Sequence, residues 1–538
     1  MKNLFLRKSV LGGLMLGALA LTACDNFLDV NENPNNPENV RYPLVLPNAL
    51  NRPLATVGSP LNILGNLWTN NWAQASDFLF YLPQNQYNLT PTTYDGSWQN
   101  MYSGAIADLR YIEVNAQEAS DKNYVAIAKI MEAYSFQILA DGWGDIPFTD
   151  VLAIDPRKPV TNLTPKYDAA ESVYDGIITL LNDGLAQIDA NAPRPNGQQD
   201  IYFGGDMAKW RRFANTLKLR VYMRQSRARD SKAKAGIQAM QQAGAQFLGA
   251  SDNVAGNPGY SNATGRLNPL YESIGFTLTG ANTSGYNATR ANVFALNYLR
   301  ETGDTLRLKA LYAPRPGTTT SSSKNYYGVV NGVGTYAPSV SQQVSPVGPA
   351  IIRSFANQGF AAPVYLMTAA ESYFLQAEAV ERGYMTGIAK TLYQTGIEES
   401  FKLLGLTTAQ ASAYYNTSKS NPAPKNYYGI QPAAVLNAAA GQLDLKVVSP
   451  KYDDATSTEQ KIEAIVTQKW IANNGYNGYE SWSEFRRTGY PRGNYISLSA
   501  RQRSFPVRLP YPQTEANNNP NTPTGVTLFA PRLFWDID

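Results

Sequence analysis

The chain has 538 residues, 43% of them hydrophobic and only 16% charged, with a formal net charge of +4. That length and apolar fraction suffice for a large globular core, while so small a charge, with no basic run beyond the first residues, argues against nucleic acid as a partner. There is no histidine and a single cysteine, Cys24, which removes the commonest general base at neutral pH, the commonest metal ligand and any intrachain disulfide.

At the N-terminus Lys2, Arg7 and Lys8 precede an apolar stretch, 10–21, that closes on Leu21-Thr22-Ala23-Cys24. This is a secretory signal ending in a lipid-attachment box: residues 1–23 are expected to be cleaved and Cys24 to carry the lipid. An apolar core of about 12 residues is too short for a spanning helix, which needs roughly 20. The only thiol of an exported chain stands at the acylation position, and acyl chains contribute about 0.8 kcal/mol of anchoring per buried methylene. Residues 24–47, dense in Asn, Pro and Asp, read as a spacer between the anchor and a single domain covering 48–538.

From Leu50 onward the pattern becomes mainly helical. Tyr124, Ile127, Ala128, Met131, Ser135, Ile138 and Leu139 share one face of a helix over 123–140, stopped by Asp141-Gly142-Trp143-Gly144-Asp145-Ile146-Pro147. A second stripe of Val173, Ile177, Leu180, Leu181, Leu185 and Ile188 predicts a helix over 168–190, with Asp168 near its start. Further helices are expected at 206–227, 231–247, 364–382, 388–404 and 458–473. The small residues Ala369, Ala370, Ala377 and Ala379 suit tetratricopeptide-type helix pairs that complete their core by stacking. The fold class is therefore mainly α, an irregular helix-pair scaffold with a few short strands.

Three long segments interrupt the helices, at 77–96, 249–292 and 312–364, all rich in Gly, Ser, Thr, Asn and Tyr. Loops of that length inside a compact body commonly carry function, and Tyr326-Tyr327-Gly328-Val329-Val330 has β-forming residues beside a glycine. A neutral, aromatic-rich surface suits an uncharged ligand, stacked on rings and read by amides and hydroxyls. The candidate ligand-binding residues are Phe78, Phe80, Tyr81, Gln84, Tyr87 and Tyr94, then Tyr260, Tyr271, Phe276 and Tyr286, followed by Tyr326, Tyr327 and Tyr336. Trp68 with Trp72, and Trp98 with Tyr102, have core spacing, and Trp143, Trp210 and Trp482 read as architectural. Few charges disfavour a strongly anionic ligand, although Arg290, Arg315 and Arg353 lie in or near the loops, where arginines can read carboxylates.

Several ordered motifs carry a resemblance. Cys24-Asp25-Asn26-Phe27-Leu28-Asp29-Val30-Asn31, the stretch from Ala140 to Phe148, Lys209-Trp210-Arg211-Arg212-Phe213-Ala214-Asn215-Thr216-Leu217-Lys218-Leu219-Arg220, Tyr373-Phe374-Leu375-Gln376-Ala377-Glu378-Ala379, and Pro506-Val507-Arg508-Leu509-Pro510-Tyr511-Pro512 with Glu515 and Asn518 resemble the SusD/RagB nutrient-binding outer-membrane lipoproteins of Bacteroidetes. The resemblance implies a tetratricopeptide-like scaffold with an irregular ligand-binding face, lipid-anchored at the cell surface. It implies a protein that captures oligosaccharide or peptide and acts as a lid for a SusC-like TonB-dependent β-barrel transporter, without enzymatic activity or a cofactor. Asp25 and Asp29 partly fit the family's surface-export signal. Two other readings stand beside it. One is a lipid-anchored surface hydrolase using paired carboxylates, Asp141 with Asp145 or Glu371 with Glu378; the other is a structural interaction protein built on stacked helices. No Asp-x-Asp-x-Asp-Gly run supports a calcium loop, and no metal site is expected.

Overall fold

The computed structural model describes residues 40–333, 340–419 and 445–537. The signal segment, Cys24, Asp25, Asp29 and Tyr336 lie outside them. The described chain opens with α1 (Tyr42–Gly58) and α2 (Pro60–Trp68), then a short strand β1 (Trp72–Gln74). Next come α3 (Ala107–Glu118), α4 (Lys122–Trp143), α5 (Ala170–Gln187), α6 (Met207–Arg224) and α7 (Asp230–Gln242). Strands β2 (Val254–Gly256) and β3 (Thr289–Ala291) precede α8 (Val293–Glu301) and β4 (Val364–Met367). The chain then returns to helices with α9 (Ala369–Glu381), α10 (Ala389–Leu403), α11 (Thr408–Tyr415), α12 (Thr458–Asn473) and α13 (Gly478–Thr488).

The helices form the expected tetratricopeptide-like stack. α3 packs on α4, α4 on α5, α5 on α6 and α6 on α7; α9 packs on α10, α10 on α11, α9 on α12 and α12 on α13. Contact of α6 with α9 joins the two runs, and α13 packs against α2, which ties the beginning of the fold to its end. The α2–α13 approach is so close that a Cβ on Gly65 would sit 2.0 Å from the Gly478 carbonyl oxygen. Only glycine fits there. α4 is buried around nearly its whole circumference, as befits a central helix. It ends where its sequence says it must, at Gly144 with φ 83°.

Some boundaries differ from expectation for local reasons. α1 begins at Tyr42, inside the stretch read as spacer and ahead of Leu50. Pro43 sits in its first turn, where a missing N–H costs nothing, and Leu46, Ala49, Leu50, Leu54 and Val57 bury one face. The helix expected over 364–382 is a strand followed by a helix: Val364–Met367 pairs antiparallel with Val254–Gly256, and the Thr368 hydroxyl then accepts the Glu371 N–H to start α9. α7 stops at Gln242, short of Phe247. Asp168 does not cap α5. Its carboxylate holds the Phe148 and Thr149 N–H groups at 3.0 and 2.8 Å, and Asp145 supplies the acceptor for the Ala170 N–H at 2.8 Å.

Beneath the stack, charged side chains from five helices meet in the core. Arg487 of α13 makes a two-pronged pair with Glu378 of α9, at 2.7 and 2.6 Å, and also bonds Glu484 at 3.1 and 2.6 Å. Arg224 of α6 reaches Glu480 at 2.5 Å and also Glu484, while Lys469 of α12 holds Glu480 at 2.9 Å. Arg220 pairs with Glu371 at 3.2 Å and with Gln137 of α4 at 2.7 Å; Asp141 accepts from Gln137 at 2.8 Å and from Tyr174. Burial alone would raise the Glu484 carboxyl, but Arg487, Lys469 and Arg224 outweigh it and hold the group well below its usual range. Burial wins at Asp141 and Glu371, whose carboxyls are pushed up despite Arg224 and Arg220 respectively.

The C-terminal motif locks onto the same region. Arg486 lies over the Trp482 ring, 3.5 Å from its centroid, and donates to the Asp141 carbonyl at 2.7 Å and the Val507 carbonyl at 2.9 Å. The Leu509 N–H donates to Gly142 at 2.7 Å, the Trp143 indole to Pro510 at 2.9 Å and the Trp482 indole to Pro506 at 3.1 Å. Trp68, Trp72, Trp98, Trp143, Trp210 and Trp482 are all buried, as their spacing and motifs suggested.

Removing Arg487 takes from buried Glu378 its two-pronged partner, leaving it Arg382, and from buried Glu484 one of its three cations. Arg487→Ala is therefore expected to cost about 3–5 kcal/mol of unfolding free energy, read by urea denaturation. The pH dependence has a definite sign. The Glu484 carboxyl is depressed below its ordinary 4.5 in the folded state, so its contribution is present above that value and is lost as pH falls through the folded pKa. Thermal melts below about pH 4.5 should decline less steeply for Glu484→Gln than for the native chain.

Candidate ligand-binding face

The three inserted segments do not hang separately; they knit into one layer over the scaffold. β1 pairs with β3, bringing Gln74 opposite Thr289, and the Tyr81 hydroxyl meets the Thr289 hydroxyl at 2.8 Å. Asp77 accepts from the Ser341 N–H at 3.1 Å and from its hydroxyl at 2.7 Å, and Arg290 donates to the Ser341 carbonyl at 3.1 Å. Val329 bridges to Asn292 through backbone bonds, so the β-prone stretch near Tyr327 adds an isolated bridge to this layer.

The first aromatic set splits on close inspection. Tyr81, Tyr87 and Tyr94 are buried. Tyr87 packs edge-on against Trp68 and its hydroxyl accepts the Ser497 N–H at 3.1 Å; Tyr94 accepts from Gln84 at 3.4 Å. These rings fix the segment in place. Phe80 is 50% exposed and stands edge-on to Tyr81 at 4.9 Å, beside Leu79, 66% exposed, with Phe78 and Gln84 half-buried. Phe80 and its apolar neighbour Leu79 are the most exposed side chains here.

The second set forms a continuous ladder. Tyr286 meets Phe276 at 4.9 Å, Phe276 meets Tyr271 at 5.7 Å, Tyr271 meets Phe360 at 6.2 Å, and Phe360 meets Phe355 at 5.7 Å. Phe276 and Tyr286 are half-buried and Tyr271 is buried; Tyr260, half-buried, stands apart with its hydroxyl 3.5 Å from Asn51. Asn268 aligns the ladder. Its side-chain oxygen accepts the Leu270 and Tyr271 N–H groups, both at 2.9 Å, and its amide donates to Ala362 at 2.9 Å, clamping the Tyr271 turn to the 359–362 turn.

Beside Tyr271, its middle ring, the ladder borders a cavity of about 50 Å³ lined by Asn62, Asn268, Tyr271, Arg353, Tyr365 and Tyr476, among others. Tyr365 and Tyr476 meet edge-on at 5.3 Å. Burial raises the phenol pKa of Tyr271, Tyr286 and Tyr365, so their hydroxyls stay protonated and able to donate at neutral pH. Phe355, Phe360, Tyr365 and Tyr476 were not singled out in the sequence. The first two sit inside a segment marked as an insertion, and Tyr476 lies in a short Asn- and Gly-rich turn whose partner is distant in the chain.

The carboxylates that a hydrolase would recruit are committed elsewhere. Asp141, Glu371 and Glu378 belong to the buried ion network, and the side chain of Asp145 caps α5. Arg290 is likewise structural: burial lowers its pKa to about 10, and it donates to the Tyr286, Thr289 and Ser341 carbonyls.

A family model described as SusD-like, starch-binding and associating with the outer membrane matches residues 34–512. The chain belongs to the SusD-like family. Among solved structures, a chitin-binding SusD homologue from Flavobacterium johnsoniae is 23% identical with a TM-score of 0.71, covering 92% of this chain and 99% of its own. A chitin-binding protein is 24% identical at a TM-score of 0.69, covering 93% of this chain and all of its own. A SusD homologue from Bacteroides uniformis is 23% identical at a TM-score of 0.71, with 92% and 99% coverage. At these identities the likeness establishes a shared fold. No curated protein matches. Among the described residues no helix is long and apolar enough to cross a membrane.

The division between supporting and exposed rings is directly testable. Tyr87→Ala should cost about 3–5 kcal/mol in chemical denaturation, as removal of a large buried ring does. Phe80→Ala should stay within about 0.5 kcal/mol of the native chain.

Proposed function

We propose that this SusD-like protein is a cell-surface lipoprotein, held in the outer membrane by lipid on Cys24, that captures oligosaccharide on the Tyr286–Phe276–Tyr271–Phe360 ladder. It delivers the sugar to a SusC-like TonB-dependent barrel, over which it acts as a lid. The observation that carries the reading is the ladder itself, a run of rings along a neutral, amide-rich face on a rigid scaffold. Sugar rings present apolar C–H faces that stack on aromatics, and their hydroxyls pair with amides and phenols. The family's starch-binding description and two chitin-binding structural neighbours support a glycan over a peptide. Burial of Asp141, Glu371 and Glu378 in the ion network, and the bond of the exposed Asp145 to the Ala170 N–H, leave the hydrolase reading without its proposed machinery.

Screening the full-length protein in mild detergent against immobilised glycans and peptides tests the ligand class. Glycan retention that drops at least about fivefold in Phe276→Ala, with unchanged folding, is expected. Retention of peptides alone would replace the glycan reading. Mild-detergent pull-down from native membranes should recover a barrel transporter; repeated recovery of the protein without one would remove the lid assignment.

A further inference from the structure

Four arginines lie in the inserted segments; Arg266 is exposed and lines no part of the cavity beside Tyr271, and the surroundings of the other three separate them. Arg290 is buried and turned onto backbone carbonyls. Arg315 lies over the Tyr327 ring, 4.9 Å from its centroid. Arg353 is exposed, has no hydrogen-bond or ion-pair partner among the described residues, and lines the cavity beside Tyr271, the middle ring of the aromatic ladder.

That cavity has a one-sided electrostatic character. Its lining contains Arg353 and, among the described residues, no aspartate or glutamate. The guanidinium lies near enough to Tyr365 and Tyr476 to lower both phenol pKa values against the burial that raises them. A positive charge and two phenols thus line one cavity with no acidic residue beside them among the described residues. Size narrows the choice further. At about 50 Å³, against roughly 10–15 Å³ for one water on the same measure, the space admits a small planar substituent but not a sugar ring.

We propose that Arg353, Tyr365 and Tyr476 select glycans bearing an anionic substituent, namely the carboxylate of a uronic acid, which enters the cavity while its ring remains against the aromatic ladder. This rests on the glycan-binding reading above and narrows it to a substrate class. A guanidinium presents two parallel N–H donors to a carboxylate and the Tyr365 hydroxyl adds one from the side, while Tyr476, whose hydroxyl donates to the Ala350 carbonyl at 3.3 Å, stands edge-on to the Tyr365 ring as a wall of the cavity. One such cation is compatible with the weakly charged surface, because it reads a single acidic group and not a polyanion. A sulfate ester carries the same charge, and the experiment separates the two.

The test is isothermal titration calorimetry of the full-length protein in detergent with three probes: tetragalacturonate, the same tetramer with its carboxylates reduced to alcohols, and a sulfated galactose tetramer. The native protein is expected to bind tetragalacturonate at least about tenfold more tightly than the reduced tetramer. Arg353→Gln should erase that ratio while leaving the neutral affinity and the melting temperature unchanged, since the side chain is exposed and unpartnered. Equal affinities in the native protein, or a ratio that survives in Arg353→Gln, would overturn the inference while leaving glycan capture intact. Preference for the sulfated tetramer alone would overturn the uronate assignment. Binding of no sugar from these probes or from a wider glycan panel would overturn the glycan reading together with it.

Discussion

The fold hangs on a core in which Arg220, Arg224, Lys469 and Arg487 face Asp141, Glu371, Glu378, Glu480 and Glu484 at the junction of α4, α6, α9, α12 and α13. Burying a charge costs several kcal/mol, so such a cluster persists only when each member has partners. Those partners come from helices far apart in the chain, which means the network forms only when the two helical runs are in register. It stabilises the fold weakly by its net energy and strongly by its specificity, because any slip of α6 against α9 or α13 leaves a charge unpaired.

This constraint frees the other side of the molecule. With the scaffold fixed by ions and by the C-terminal strap on Trp143 and Trp482, the inserted segments need only anchor themselves locally. They do so through short β pairings, the Asp77–Ser341 and Tyr81–Thr289 contacts, and the buried rings of Tyr87 and Tyr94. What remains nearer the surface is the exposed Phe80 and the half-buried rings Tyr286, Phe276, Phe360 and Phe355 on either side of the buried Tyr271. Among the described residues the motifs that carry the family likeness fall in the helical scaffold and its C-terminal strap, and the candidate ligand-binding residues fall between them.

Much of this was legible in the residues. The stripes on α4 and α5, the stop at Gly144 and the architectural tryptophans follow from periodicity and turn chemistry acting locally. Expectation failed where a distant partner decides. Val364–Met367 becomes a strand because Val254–Gly256 lies beside it, and Pro43 and Pro47 sit within a helix because the face around Leu46 and Leu50 has a core to enter. The same limit applies to the site. Loop composition pointed to Tyr271, Phe276 and Tyr286, and the structure joins those three in one ladder. Composition did not separate the buried Tyr87 and Tyr94 from the exposed Phe80, and it offered no reason to join Tyr476, in the turn before α13, to Arg353 and Tyr365.

The central claim is that ligand is held on the layer formed by the inserted segments while the ion-locked scaffold stays as it is. Hydrogen–deuterium exchange of the full-length protein, with and without saturating oligosaccharide, addresses it most directly. Added protection confined to peptides covering 268–290 and 351–365 is the expected result. Protection centred on the helices α3 to α7, with those loop peptides unchanged, would contradict the account.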